Sequence, residues 1–302
     1  MLSEFELIRK YFDRPARNAV LGVGDDAALL RPAEGMELAV STDLLLEGRH
    51  FLAGADARAL GHKALAVNLS DMAAMGAAPR WATLALALPS ADEAWLEAFA
   101  RGFFALAGRY GVDLVGGDTT RGPLTICVAI FGDVPPGRAL LRSGAADGDE
   151  IWVSGELGGA ALALAQPDNA AAARRLHEPE PRVELGLRLR GLASAAIDVS
   201  DGFAQDLGHI LERSRLGAAV EYERLPMFPG ASQDQVLAGG DDYELVFTSP
   251  RDRRTAIEAL SKEIGLRLTR VGSIRAGEPE LEILDRAGRR VAARRGFDHF
   301  AA

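Results

Sequence analysis

The 302-residue chain predicts an α+β protein built as two domains. Three observations carry that reading. The length suits two domains of ordinary size. Strand-like apolar runs follow one another directly in places and alternate with amphipathic helical runs in others, which suggests sheets layered with helices. One segment, DVPPGRALLRSGAADGDE, is rich in Pro, Gly and polar residues, and places a boundary near Gly137 to Gly148.

The elements can be justified in order. MELAVSTDLLL, WATLALALP, VDLVGG and PLTICVAIFGDV are predicted strands of the first half. ARALGHKALAVNLSDMAAMG is a predicted helix that stops at Gly76, a C′ glycine. DEAWLEAFARGFFALAGRYG carries Trp95, Phe99, Phe103 and Leu106 at helical spacing and stops near Gly111. Beyond the boundary, EIWVSG, SAAIDVS, AAVEYERLP, DYELVFTSP and LRLTRVGSI are predicted strands. DGFAQDLGHILERS places Phe203, Leu207, Ile210 and Leu211 on one helical face. In SPRDRRTAIEALSKEIG, Ser249 is the expected N-cap with Pro250 in the first turn. Two short echoes, NLSD with DVSD and GGDT with GGDD, either record a duplicated domain or recur by chance.

Composition excludes several classes. Hydrophobic residues are 48% and charged residues 25%, which fits a packed core. A net charge of −9 argues against a nucleic-acid binder. Cys127, the single cysteine, reads as a buried strand residue, and one thiol supports neither a disulfide nor a cysteine metal cluster. MLSEFELIRKYF does not read as a signal peptide, and no uninterrupted apolar run approaches about 18 residues. A cytoplasmic protein without a membrane span is expected.

Aspartates recur where a chain normally turns: GVGDDA, STD, NLSD, GGDTT, DVSDG and GGDDYE. Singly, each is an ordinary turn or helix-cap residue. Together they suggest a site. Asp43, Asp118 and Asp198 each follow an apolar run, so strand exits are expected to gather them at a sheet edge. Ala64, Asn68, Asp71 and Met75 share a helix face, where a carboxylate among apolar neighbours needs a partner such as a cation. Asp, Ser and Thr oxygens suit Mg²⁺, which would in turn hold phosphate. That resolves the oddity of GVGDDA, where Asp25 and Asp26 occupy a glycine-rich turn of the kind that normally cradles anions.

Other motifs are absent or weak. There is no P-loop, no protein-kinase signature set and no G-x-S-x-G elbow. GVGDDA matches a loose dinucleotide pattern, but its acids would face the pyrophosphate. SGELGGAALALA reads as strand, Gly-rich turn and helix, either a phosphate cradle or only a tight turn.

Taken in order, GVGDDAALL, AVSTDLLLEGRHF, KALAVNLSDMAAMGA, LVGGDTTRGPL, LLRSGA, AIDVSDGFAQDLGHI, GGDDYELVF and RRGFDHF resemble the thiamine-monophosphate kinase family from end to end. The wider group is similar to aminoimidazole ribonucleotide synthetase. The resemblance implies an α+β fold with mixed sheets layered with helices, and a homodimer joined through N-terminal sheets. Residues 1–137 would bind Mg-ATP and dimerise, and residues 138–302 would complete the nucleotide and substrate site. It implies ATP and thiamine monophosphate as substrates, thiamine diphosphate and ADP as products, and several Mg²⁺ ions. Asp26, Ser41, Thr42, Asp43, Asp71, Asp118, Asp198 and Asp201 match metal-binding positions of the family. Gly117, Asp118, Arg142 and Ser200 match nucleotide-contacting positions. His50, Asp241 and Phe297 match positions that touch the thiamine substrate. Asp241 departs from the pattern, since the family usually has Glu there.

Two anionic substrates meeting on an acidic protein need positive charge, which Mg²⁺ and Arg142 would supply. The acceptor phosphate, with a second pKa of about 6, is mostly ionised at neutral pH, so direct in-line transfer without a general base is expected. Related ATP-dependent enzymes fit less well. Selenophosphate synthetase would want a reactive residue near the N-terminus and hydrogenase-maturation dehydratases a C-terminal cysteine; neither is here. EGRHF and RRGFDHF argue against an aminoimidazole ribonucleotide synthetase. A non-catalytic metal- or nucleotide-binding module is the alternative from another class.

Overall fold

The computed structural model describes residues 3–294 and 296–297. The chain divides into two compact units, Met1–Met72 with Ala77–Gly137, and Ala73–Gly76 with Arg138–Ala302.

The first unit runs α1 (Glu4–Tyr11), β1 (Glu37–Leu46), α2 (Ala57–Ala74), β2 (Ala78–Leu88), α3 (Glu93–Tyr110), β3 (Asp113–Arg121) and β4 (Thr125–Val134). α1 was not expected; it starts from a capping box in which Ser3 and Glu6 satisfy each other's backbone N–H groups. The four-stranded sheet has the order β1-β4-β2-β3, with only β2 and β3 parallel. One face is apolar and covered. Leu45, Ile126, Val128, Ile130, Leu84 and Leu86 are buried there.

The opposite face is open. Val40, Thr42, Leu44 and Leu46 alternate outward along β1, opposite Phe131, Ala129, Cys127 and Thr125 of β4. Cys127 is therefore half-buried and not a core residue as expected, because Ile126 and Val128 take the inward positions. Burial raises its thiol pKa, and the Asp43 charge adds to that.

α2 and α3 cross at glycines. A Cβ on Gly61 would overlap the carbonyl oxygen of Phe99, and one on Gly102 that of Arg58. Two backbones in such contact leave no room for a side chain. α2 ends as its sequence predicts: Gly76 has φ +62°, and Ala77 N–H bonds Met72 C=O at 2.8 Å.

The second unit runs β5 (Glu150–Ser154), α4 (Gly159–Ala165), α5 (Ala170–His177), α6 (Val183–Leu189), β6 (Ala195–Asp198), α7 (Phe203–Ser214), β7 (Gly217–Glu221), α8 (Gln233–Ala238), β8 (Leu245–Ser249), α9 (Arg254–Glu263), β9 (Leu268–Arg275) and β10 (Leu281–Leu284). Its six-stranded sheet has the order β10-β7-β9-β5-β8-β6. The core gathers Ile151, Val153, Ile197, Val246 and Val271 of the sheet with Phe203, Leu207 and Ile210 of α7. Ser249 does not cap a helix. It ends β8, its hydroxyl donates to Leu192 C=O at 2.8 Å, and a 3₁₀ turn at Arg251–Arg253 precedes α9. The echoes are not structural counterparts either. NLSD lies inside α2, whereas DVSD leaves the end of β6.

Gly102→Ala should lower unfolding stability by about 1–3 kcal/mol, the usual cost of forcing volume into a filled contact. Urea denaturation checks it; unchanged stability would show that the two backbones can separate freely.

Candidate active site

In the first unit, Leu21 and Leu29 exchange backbone hydrogen bonds and pinch the GVGDDA loop, with Gly24 at φ +123°. Asp26 N–H donates to Asp25 Oδ1 at 3.0 Å. Both aspartates are exposed and line a cavity of about 1030 Å³ with Gly117, Asp118 and Thr119 of β3. Phe5 and Ile8 of α1 line it too. Two of the acidic motifs therefore share one cavity.

STD is arranged differently from expectation. Asp43 and Asp118 lie within β1 and β3 and not at strand exits, because both strands continue through STDLLL and GGDTTR to pair with β4 and β2. Register puts Asp43, Val128, Leu84 and Gly117 in one row. Asp43 and Gly117 then sit on opposite edges, about 14 Å apart at roughly 4.8 Å per strand. Alternation splits the motif: Ser41 and Asp43 face the covered side, Thr42 the open side. Ser41 Oγ donates to Asp71 Oδ2 at 2.5 Å, so α2 and β1 meet through these two predicted ligands.

Asn68, one helical turn before Asp71, is fully buried. Its Nδ2 donates to Ala64 C=O at 3.0 Å, but its Oδ1 has no partner among the described residues. An all-oxygen donor set with an unsatisfied acceptor beside it suits hydrated Mg²⁺. Among the described residues, no three His, Cys, Asp or Glu side chains are already gathered as a metal cage.

His50 follows β1. Its Nδ1 accepts the Leu46 N–H at 3.0 Å, which leaves the ring proton on Nε2. Lys63 Nζ donates to His50 C=O at 3.3 Å.

In the second unit, the DVSDG turn leaves β6 and enters α7. Asp198 is buried, and Ser200 and Asp201 are half-buried. Asp241 N–H donates to Ser200 C=O at 2.9 Å, and Phe297 N–H to Asp201 C=O at 3.0 Å. DVSDG, GGDD and the chain near Phe297 are thus one cluster. Of the terminal RRGFDHF, positions 295 and 298–300 lie outside the described residues. Glycines permit the approach, since a Cβ on Gly240 would overlap Ser200 C=O and one on Gly296 Asp201 C=O. Asp241 has φ +67° and accepts from Tyr243 Oη at 3.0 Å. A left-handed backbone suits Asp better than Glu, which gives a local reason for the departure at this position. Arg142 is exposed, and its C=O accepts from Ser214 Oγ at 3.3 Å.

Three carboxylates take roles that the sequence pattern did not disclose. Asp206 Oδ2 accepts the N–H groups of Ser200, Asp201 and Gly202, each at 3.1 Å. Burial, then the negative charge of Asp198, pushes its pKa up to about 8 despite those bonds. Its signal was an acid on the apolar face of α7, between Phe203 and Ile210. Asp242 accepts Gly158 N–H at 2.6 Å and Ala160 N–H at 3.4 Å. SGELGG is therefore not an open phosphate cradle, because a carboxylate of the chain already takes those donors. Burial pushes Asp242 up to about 7.

Glu244 is fully buried and accepts from Ser154 Oγ at 2.6 Å, Arg175 at 2.6 Å and Arg182 at 2.5 and 2.7 Å. Burial raises its pKa, but the two guanidinium groups overcome this and hold it below the usual range. Gly155 is required because a Cβ there would overlap the Glu244 carboxylate.

Family comparison agrees with this layout. Residues 24–134 match the N-terminal domain of AIR synthase related proteins, and residues 146–283 match their C-terminal domain. The chain is thus an AIR synthase related protein in class. It is 45% identical to a thiamine-monophosphate kinase of Salmonella typhimurium, over 99% of this chain and 98% of that one. A crystal structure of thiamine-monophosphate kinase from Stenotrophomonas maltophilia superposes with a TM-score of 0.85 at 45% identity, covering 94% of this chain and 95% of that one. A further structure, of AaThiL complexed with AMPPCP and TMP, superposes at 0.78 with 30% identity and 89% of each chain covered. The chain belongs to the thiamine-monophosphate kinase family. Among the described residues, no helix is long and apolar enough to cross a membrane.

The raised carboxyls set a pH dependence. Between the ordinary carboxyl value and about 7, folded Asp242 holds a proton that the unfolded chain has lost. Stability without divalent cation should therefore fall as pH rises through that window, and Asp206 should extend the fall to about 8. Asp242→Asn should make the slope shallower between about pH 5 and pH 7, read by urea denaturation in EDTA. Identical slopes in both proteins would contradict it.

Proposed function

We propose that the chain transfers the γ-phosphate of ATP to thiamine monophosphate, giving thiamine diphosphate and ADP. The observation that carries this is the joining of DVSDG, GGDD and Phe297 through the Ser200 and Asp201 carbonyls, in a chain that belongs to this family along nearly its whole length. Each within its own unit, Asp26, Ser41, Asp43, Asp71 and Asp118 in the first and Asp198 and Asp201 in the second would hold Mg²⁺; Thr42, whose side chain faces the open side of the sheet, would take part through its backbone. Held by these oxygens, Mg²⁺ would supply the positive charge that two phosphate-bearing substrates need.

The chain's own residues position the reactants. Gly117 and Ser200 offer backbone and hydroxyl to the nucleotide, and exposed Arg142 adds a cation. His50, Asp241 and Phe297 are the proposed contacts to thiamine monophosphate. The acceptor is a phosphate oxygen that is mostly ionised at neutral pH, so no side chain must take a proton from it. Transfer is direct and in line, governed by positioning and charge, without a phosphoenzyme. The reaction is placed in the cytoplasm.

A homodimer through the first unit is part of the same proposal. β1 is an edge strand with Leu38, Val40, Leu44 and Leu46 at 43%, 56%, 50% and 39% exposure. A long apolar edge of this kind invites pairing, and a second copy is the partner that covers it.

Two experiments test these statements. Purified protein with Mg-ATP and thiamine monophosphate should yield thiamine diphosphate, separable by chromatography, and none with EDTA or with free thiamine. Asp71→Asn should lose more than the roughly 10–100-fold typical of a residue behind a metal ligand, with unchanged circular dichroism. Absence of thiamine diphosphate from folded protein would overturn the kinase reading. For the assembly, Val40→Asp should sediment as a monomer where the unchanged chain sediments as a dimer; identical sedimentation would remove β1 from the interface.

A further inference from the structure

Asp206 matches none of the metal, nucleotide or thiamine positions, yet the cluster in the second unit hangs from it. Its single oxygen Oδ2 takes three consecutive N–H groups, those of Ser200, Asp201 and Gly202. The carbonyls of the same turn point the other way, Ser200 C=O to Asp241 N–H and Asp201 C=O to Phe297 N–H. A third bond adds to this frame, since Gln205 Nε2 donates to Phe297 C=O at 3.1 Å.

Gly202 cannot be replaced as the holding element. Its φ is +120°, and a Cβ there would come within 2.8 Å of the Ala238 backbone. It also provides no side-chain cap for α7. Asp206, buried at 2% exposure, reaches back from the first turn of α7 and does that work from below.

We infer that Asp206 is a positioning residue for the reaction: its Oδ2 sets the turn that carries Asp198, Ser200 and Asp201, and through that turn the backbone at Asp241 and Phe297. The inference rests on the metal and substrate roles proposed above. Its physical basis is the location of one acceptor atom. One carboxyl oxygen receiving three consecutive N–H groups fixes three peptide planes at once. Residues that orient ligands in this way weaken metal affinity or activity by roughly 10–100-fold when lost.

Three variants separate the position of the acceptor from the carboxyl group itself. Asp206→Ala removes the acceptor. Asp206→Glu keeps the carboxyl group but moves the oxygen by one methylene. Asp206→Asn keeps an acceptor oxygen at the same reach without the carboxyl group. Each is measured for the Mg²⁺ concentration giving half-maximal rate, for KM and kcat with thiamine monophosphate, and for the Mg²⁺-induced rise in melting temperature with a non-hydrolysable ATP analogue.

Ala and Glu should both raise the half-maximal Mg²⁺ concentration and the KM by roughly 10–100-fold, and Asn should recover most of the loss. A variant that melts lower but keeps the Mg²⁺ requirement and KM of the unchanged chain would make Asp206 a purely structural cap and overturn the inference. So would a folded Glu variant that performs like the unchanged chain. If Ala fails to fold, the Glu and Asn pair decides by the same criteria. If the unchanged chain makes no thiamine diphosphate, the kinase reading fails instead, and the Mg²⁺-induced melting shift still tests the positioning role.

Discussion

Carboxylates withdrawn from water organise this protein, because each must find donors or a cation. In the second unit, Asp206, Asp242 and Glu244 are all buried, and each is matched differently. Asp206 gathers a turn, Asp242 caps the start of α4, and Glu244 binds two arginines and a serine. A lone buried charge would be costly, and a carboxylate satisfied from several elements at once fixes those elements. The exposed acids of the GVGDDA loop are placed differently. Asp25 and Asp26 satisfy no distant element, and they stand in a cavity large enough for a nucleotide.

That division explains how a protein of net charge −9 can handle two phosphate esters. Arginines are present in the interior of the second unit, but Arg175 and Arg182 are committed to Glu244. The Gly-rich turn at SGELGG is committed to Asp242. With these cationic and N–H groups already engaged, the proposed source of phosphate affinity is divalent cation held by the remaining oxygens. Ser41, Asp71 and the Asn68 oxygen, which has no partner among the described residues, are the candidates of that kind.

Much of the layout was legible in the sequence. α3 and α7 follow from periodic apolar residues, and the ends of α2 and α3 from terminal glycines. The acidic motifs stood out as a set. What was not legible depends on contacts distant in the chain. Whether Asp43 ends a strand or sits within one depends on ten residues of pairing with β4, which local composition does not reveal. GGDDYE shows three acids within four residues, but only folding tells that Asp242 and Glu244 point to different partners while Asp241 adopts positive φ. Asp206 was visible only as an acid on an apolar helix face. Cys127 looked buried because half its neighbours are, and alternation put it on the other side of the sheet.

The central claim is that the acidic site holds nucleotide only through divalent cations. Calorimetric titration with a non-hydrolysable ATP analogue tests it most directly, run once with Mg²⁺ and once in EDTA. The account predicts saturable binding with Mg²⁺ and none measurable in EDTA. Equal affinity under both conditions would mean that the protein's own donors carry the phosphates, and would contradict the assignment of the aspartates.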